Sequence, residues 1–138
     1  MVQVVMGSRG TGKTKQVIDM VNAAAGAAAG NVIVIERDDR LRKDISARTA
    51  RLLSTTEYQI CSYQVLRGFI TGLCAGNYDI TNIFIDSLFK IVQTDCMQEC
   101  EKFLDWTKTF GKKHNINVCI TISADPATAS EGLKTYFS

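Results

Sequence analysis

The chain has 138 residues, 46% of them hydrophobic and 22% charged, with a formal net charge of +2 and a pI near 8.3. That length suits a single domain, residues 1–138, with a core of its own, and the weak net charge supplies no field that by itself calls for nucleic acid or an anionic membrane. No apolar run approaches the roughly 18 residues of a membrane span, and no basic segment precedes the first apolar residues, so neither a membrane span nor a signal peptide is expected.

Residues 2–6, VQVVM, read as a strand, and the next stretch, GSRGTGKT, fits the pattern GxxxxGKT with an added central glycine. Each residue type has a physical use there. Gly7, Gly10 and Gly12 let the backbone approach a polyphosphate closely, so that the N–H groups of the loop, including those of Ser8, Arg9 and Thr11, face the anion. Lys13 supplies a point charge for the outer phosphates, and the Thr14 hydroxyl is a hard oxygen ligand suited to Mg²⁺. Apolar Val17, Ile18, Met20 and Val21 then recur at helical spacing, so a helix starting near Gly12 adds its positive end to the same spot. Strand, loop and helix stand in the order that a nucleotide-binding loop requires.

Residues 22–30, NAAAGAAAG, read as a fraying helix end and connection. Val32 to Ile35 form a continuous apolar run, as in a strand buried on both faces, and the run stops at Glu36. In a parallel sheet the carboxyl ends of the strands share one rim, so Glu36 is a candidate for the same rim as the glycine loop. The mixed-charge segment at residues 37–51 reads as a solvated surface with local ion pairs; its interleaved acids weaken the case for a nucleic-acid contact. Residues 57–62, EYQICS, are expected to form a short strand, and residues 63–75 a helix with Val65, Leu66, Phe69, Ile70 and Leu73 inward.

A second signal lies in TNIFIDSLFK, where Ile83, Phe84 and Ile85 form a buried strand ended by Asp86. Behind a phosphate loop, a carboxylate at a strand tip is placed to hold magnesium beside Thr14. A helix over Met97 to Trp106, ending near Gly111, leads to a final strand, NVCITIS, that ends at Ser123; a short helix closes the sequence. Trp106 reads as a core anchor. The five cysteines, Cys61, Cys74, Cys96, Cys100 and Cys119, suggest reduced thiols in a cytoplasmic protein, and the Cys96–Cys100 spacing alone makes a poor zinc site.

Taken together, these motifs resemble the P-loop NTPase superfamily, and the order of elements is similar to its RecA-like branch. Glu36 falls where that branch keeps a catalytic glutamate that orients water, IDS at residues 85–87 is similar to its magnesium-site strand, and Ser123 falls at its polar sensor. The helix and strand in FLDWTKTFGKKHNINVCITIS also resemble that branch. The resemblance implies an α/β three-layer sandwich with a mainly parallel sheet, ATP and Mg²⁺ as ligands, and Lys13 and Glu36 as catalytic residues. Ala124 replaces the glutamine found after the sensor in the recombinases, so strand exchange is not expected. No arginine finger is marked; Arg67, Lys112 and Lys113 are the candidates for acting across a subunit interface, against the reading of lysines near a helix C-terminus as dipole-favoured surface residues.

The function implied is slow, Mg²⁺-dependent ATP hydrolysis in a motor or switch subunit, with a homo-oligomer or protein partner supplying a further positive group. A nucleotide-binding regulatory or scaffold protein with little hydrolysis is the alternative. A small-molecule kinase ranks last, since no arginine-bearing lid insertion is evident.

Overall fold

The computed structural model describes residues 1–27, 30–45 and 50–137. Five strands, β1 (Val2–Gly7), β2 (Asn31–Glu36), β3 (Ala50–Ser54), β4 (Ile80–Ile85) and β5 (Asn117–Ser123), form one sheet in the order β1-β5-β4-β2-β3. Every neighbouring pair is parallel. Helices cover both faces, so the chain is an α/β protein compatible with a three-layer sandwich.

Side-chain alternation along the strands sorts the core into two parts. On one face, Val32 and Val34 of β2, Phe84 of β4 and Cys119 of β5 pack under α1 (Lys13–Ala27) through its Val17, Val21 and Ala25. The opposite face, with Ile33, Ile35, Ile83, Ile85 and Ile120, meets α2 (Tyr63–Gly76) and α4 (Met97–His114). The short helices α3 (Leu88–Val92) and α5 (Glu131–Lys134) add Leu88, Ile91 and Leu133 to that second cluster. The central strands are buried on both sides, which is why they read as unbroken apolar runs.

The termini of the helices follow their local chemistry. Ser62 caps α2 by accepting from the Val65 N–H at 3.2 Å, and Asn115 ends α4 in the left-handed conformation, where a short polar side chain is tolerated. β1 is an edge strand, but the C-terminal tail lies along it, with the Val4 N–H donating to the Tyr136 carbonyl at 2.8 Å and Phe137 bridging Val4. This covers backbone groups that would otherwise template pairing with another chain.

Two expectations are corrected. Residues 57–62 form no strand: the chain runs through turns closed by Glu57 N–H to Ser54 and Ile60 N–H to Thr55, with Gln59 at φ 58°. The strand lies earlier, at β3, inside the segment that charge alone marked as surface. As the other edge of the sheet, β3 fully buries Leu53 and leaves Arg51 exposed, so it lacks the apolar run of a central strand. The charged residues ahead of it, Arg37 to Arg40 and Arg42 to Asp44, are exposed, and Arg42 pairs with Asp39 at 3.0 Å. Arg48 and the end of the alanine-rich connection, Ala28 and Ala29, lie outside the described residues. Among the described residues no helix is long and apolar enough to cross a membrane.

Glycines separate tight packing from open surface. A Cβ on Gly30 would stand 2.1 Å from the Asp79 carbonyl, where the Asn31 N–H crosses to that same oxygen, whereas Cβ atoms on Gly68 and Gly72 of α2 meet nothing within 4 Å. Gly68→Ala and Gly72→Ala are therefore expected to raise stability by roughly 0.5–1 kcal/mol each, and Gly30→Ala to lower it, as read from urea unfolding midpoints.

Candidate functional site

Because all strands run in one direction, Gly7, Glu36, Asp86 and Ser123 meet along the carboxyl rim of the sheet. Gly7 pairs directly with Ser123, and the Asp86 N–H donates to the Ile35 carbonyl at 2.9 Å, so adjoining strand tips are fixed to each other. Glu36, Asp86 and Thr121 continue the alternation of Val34, Phe84 and Cys119, which directs all three toward the α1 face, the side on which the glycine loop lies.

The loop turns through Gly10 and Gly12, at φ 84° and 83°, a region that an L side chain enters only with strain. A Cβ on Gly7 would stand 2.7 Å from the Thr11 hydroxyl. Thr11 and Ser8 brace the loop itself: the Thr11 hydroxyl donates to the Ser8 carbonyl at 2.8 Å. The Lys13 ammonium folds over the loop, donating to the Ser8 carbonyl at 2.8 Å and to the Thr11 hydroxyl at 3.3 Å. Partial burial lowers the Lys13 pKa, an effect opposed by the nearby Asp86 carboxylate.

Above the rim opens a cleft of about 530 Å³. Gly10, Gly12, Lys13 and Thr14 line it from the loop and α1, Asp86 and Ser87 from the end of β4, and Ser123 from β5. Arg9, Arg40 and Lys90 also face it, so four cations and one carboxylate border the space. This is a field suited to a polyanion.

Asp86 is held by a network that connects two strands. Its Oδ1 accepts from the Thr121 hydroxyl at 2.8 Å, and the Thr121 Oγ1 in turn accepts from the Ser87 N–H at 2.8 Å. The Ser87 hydroxyl reaches Oδ2 at 3.4 Å, and Ser87 itself is left-handed at φ 57°. A carboxylate has about four acceptor positions, so these bonds orient Asp86 and leave it capacity for a cation. Thr14, Asp86 and Ser87 are hard oxygen donors lining one cleft, a set that fits Mg²⁺ arriving with phosphate ligands. Among the described residues no group of three or more His, Cys, Asp or Glu forms a closed metal cage. Cys96 is exposed, Cys100 is buried, and burial pushes the Cys100 thiol up to about 11.

Glu36 is placed differently from the other rim residues. It is only 4% exposed, its Oε1 accepts from the Arg40 N–H at 2.9 Å, and its Oε2 accepts from the Leu41 N–H at 3.2 Å. It does not line the cleft; the turn that it holds brings Arg40 there instead. Burial raises the Glu36 pKa, against the two backbone hydrogen bonds, with Asp86 and Asp39 adding to the rise. Arg67 lies over the Trp106 ring, 5.0 Å from its centre, while Trp106 stacks on Phe110 and packs on the α2–α4 side of the sheet. Lys112 and Lys113 end α4 just before β5 begins, at the rim opposite the cleft.

Sequence patterning alone did not assign Thr121, Arg40 or Lys90 to this site. Thr121 carried a signal, a hydroxyl within an apolar strand that is 1% exposed in the fold. Arg40 and Lys90 carried none beyond their positions shortly after Glu36 and Asp86. No protein-family model and no curated protein sequence matches the chain.

Thr121→Val keeps the side-chain shape but removes the donor to Asp86 and the acceptor for Ser87. It is expected to cost about 1–3 kcal/mol, measured by chemical unfolding. The raised Glu36 pKa means that the folded protein holds this proton more tightly than the unfolded chain does. Ionising Glu36 therefore costs stability, and its contribution falls as pH rises from the ordinary carboxylate range through the raised value. Carboxyl NMR titration is expected to show one glutamate with a midpoint above that range, absent in Glu36→Gln.

Proposed function

We propose that the chain is a nucleoside triphosphate-binding protein with a P-loop NTPase fold of the RecA-like kind, binding ATP with Mg²⁺ and hydrolysing it slowly. The observation that carries the reading is the convergence in one cleft of the positive-φ glycine loop, Lys13, Thr14, Asp86 and Ser123. In this reading the loop N–H groups cradle the phosphates and the Lys13 ammonium turns from the Ser8 carbonyl to the outer phosphate oxygens. Thr14 and Asp86 would hold Mg²⁺, whose charge when bound offsets that of the phosphates. Ser123, at the tip of the strand beside the loop, donates to a terminal phosphate oxygen.

One observation favours a second reading, a nucleotide-dependent switch or scaffold with very little hydrolysis. Glu36 does not line the cleft, and each of its oxygens is engaged by a backbone N–H group of its own turn, so the residue assigned to orient water faces that turn and not the space for a terminal phosphate. If a partner must donate a further positive group, the chain by itself is expected to turn over slowly, since such a group is typically worth roughly 10³ to 10⁵ in rate.

Calorimetric binding of Mg-ATP and Mg-GTP, with turnover measured in the presence and absence of DNA, tests the assignment. Lys13→Ala is expected to weaken triphosphate binding at least tenfold, in line with about 1.5–3 kcal/mol for a charge-assisted hydrogen bond. Equal binding by parent and variant removes the site assignment. Binding without measurable turnover in the parent selects the switch reading.

A further inference from the structure

The turn after β2 is built more firmly than a solvated charged loop requires. At its start the Arg37 carbonyl accepts from two hydroxyls, Ser54 Oγ at 2.7 Å and Thr56 Oγ1 at 3.1 Å. At its end the Glu36 carboxylate takes the N–H groups of both Arg40 and Leu41, and Leu41, 2% exposed, is packed in the core beneath α1. Further along, the Asn22 amide of α1 donates to the Asp44 carbonyl at 3.3 Å. Among the described residues Glu36 has no cationic partner, and a buried carboxylate so placed is a costly device for closing a short turn.

Of the described residues of this turn, Arg40 lines the cleft. Arg40 is exposed and lines both the phosphate-loop cleft and a second hollow beside it, with Thr14 shared between the two. Among the described residues no hydrogen bond or ion pair engages its guanidinium, whereas Arg42, two positions on, is paired with Asp39. Arg40 lines a cleft that Lys13 also lines, and its guanidinium, unpaired among the described residues, is matched in charge and fork geometry to phosphate oxygens.

We infer that Arg40 is a polyphosphate ligand supplied by the chain to its own site, and that Glu36 is the positioning residue that holds it there. This rests on the nucleotide-binding reading above and changes the part played by Glu36: its carboxylate shapes the backbone of the turn, and its contribution to the ligand passes through Arg40. The positive group that the resemblance assigns to a partner subunit is, for ground-state binding, already present in cis.

The experiment is calorimetric titration of Mg-ATP and of inorganic tripolyphosphate at low and physiological salt, on the parent, Arg40→Ala, Arg40→Lys, Glu36→Gln and the double variant Arg40→Ala/Glu36→Gln. Lys13→Ala serves as the reference for the site, and thermal unfolding confirms folding. Arg40→Ala is expected to weaken both ligands about tenfold and to flatten the salt dependence, with Arg40→Lys recovering part of the loss. Glu36→Gln retains one acceptor but places an amide donor against the other N–H, so it is expected to lose affinity in the same direction. The double variant is expected to be no weaker than Arg40→Ala, because both changes remove one interaction.

Arg40→Ala alters only an exposed side chain and decides the matter even where Glu36→Gln folds poorly. Parent-like binding by Arg40→Ala overturns the inference. So does a Glu36→Gln protein that binds like the parent and has lost only turnover, which returns Glu36 to the attacking water. Failure of Lys13→Ala to weaken binding is a different result: it removes the phosphate-loop reading itself.

Discussion

In a sheet whose strands all run in one direction, every strand delivers its last residue to the same rim, and the rest of this molecule depends on that constraint. The apolar runs of β1, β2, β4 and β5 stop at Gly7, Glu36, Asp86 and Ser123, and the shared direction converts four separate stops into one edge. Alternation then selects a face. Glu36, Asp86 and Thr121 inherit the side of Val34, Phe84 and Cys119, the side that α1 covers, and of the three Asp86 shares the cleft with the loop preceding α1.

Strand order supplies the second layer of control. With β5 between β1 and β4, the Thr121 hydroxyl stands within hydrogen-bond reach of Asp86, 35 positions away in the chain, and Ser123 stands beside Gly7. Thr121 satisfies a carboxylate and a backbone N–H at once, so a single hydroxyl fixes both the aim of Asp86 and the left-handed start of α3 at Ser87. The network is partly buried at the rim, and its groups complete each other while leaving Asp86 acceptor capacity toward the cleft.

Glu36 and Asp86 show how two carboxylates at adjoining strand tips come to differ. Asp86 opens to the cleft and is oriented by side-chain hydroxyls, whereas Glu36 turns under the succeeding segment and is spent on backbone N–H groups. The difference arises from the path of the chain beyond each strand. After β4 the chain enters α3 at once and leaves the rim open; after β2 it folds back across the α1 face, with Leu41 buried as its anchor.

Much of this was legible in the sequence. The GxxxxGKT loop and the unbroken apolar runs are local patterns, and central parallel strands must carry such runs because both of their faces are buried. The edge strand β3 was not legible, since its exposure lets Arg51 and Ser54 stand where a central strand needs apolar residues. The residues that build the site divided along the same line. Loop members and strand tips are marked by their own neighbours in the sequence, but Thr121, Arg40 and Lys90 acquire meaning only from strand order and from the path of the connecting turns. The sequence by itself determined which residue types stand at the ends of the strands, because that depends on short-range patterning. The tertiary structure alone decided which of those ends face the cleft and which are closed over, because that depends on contacts between segments distant in the chain.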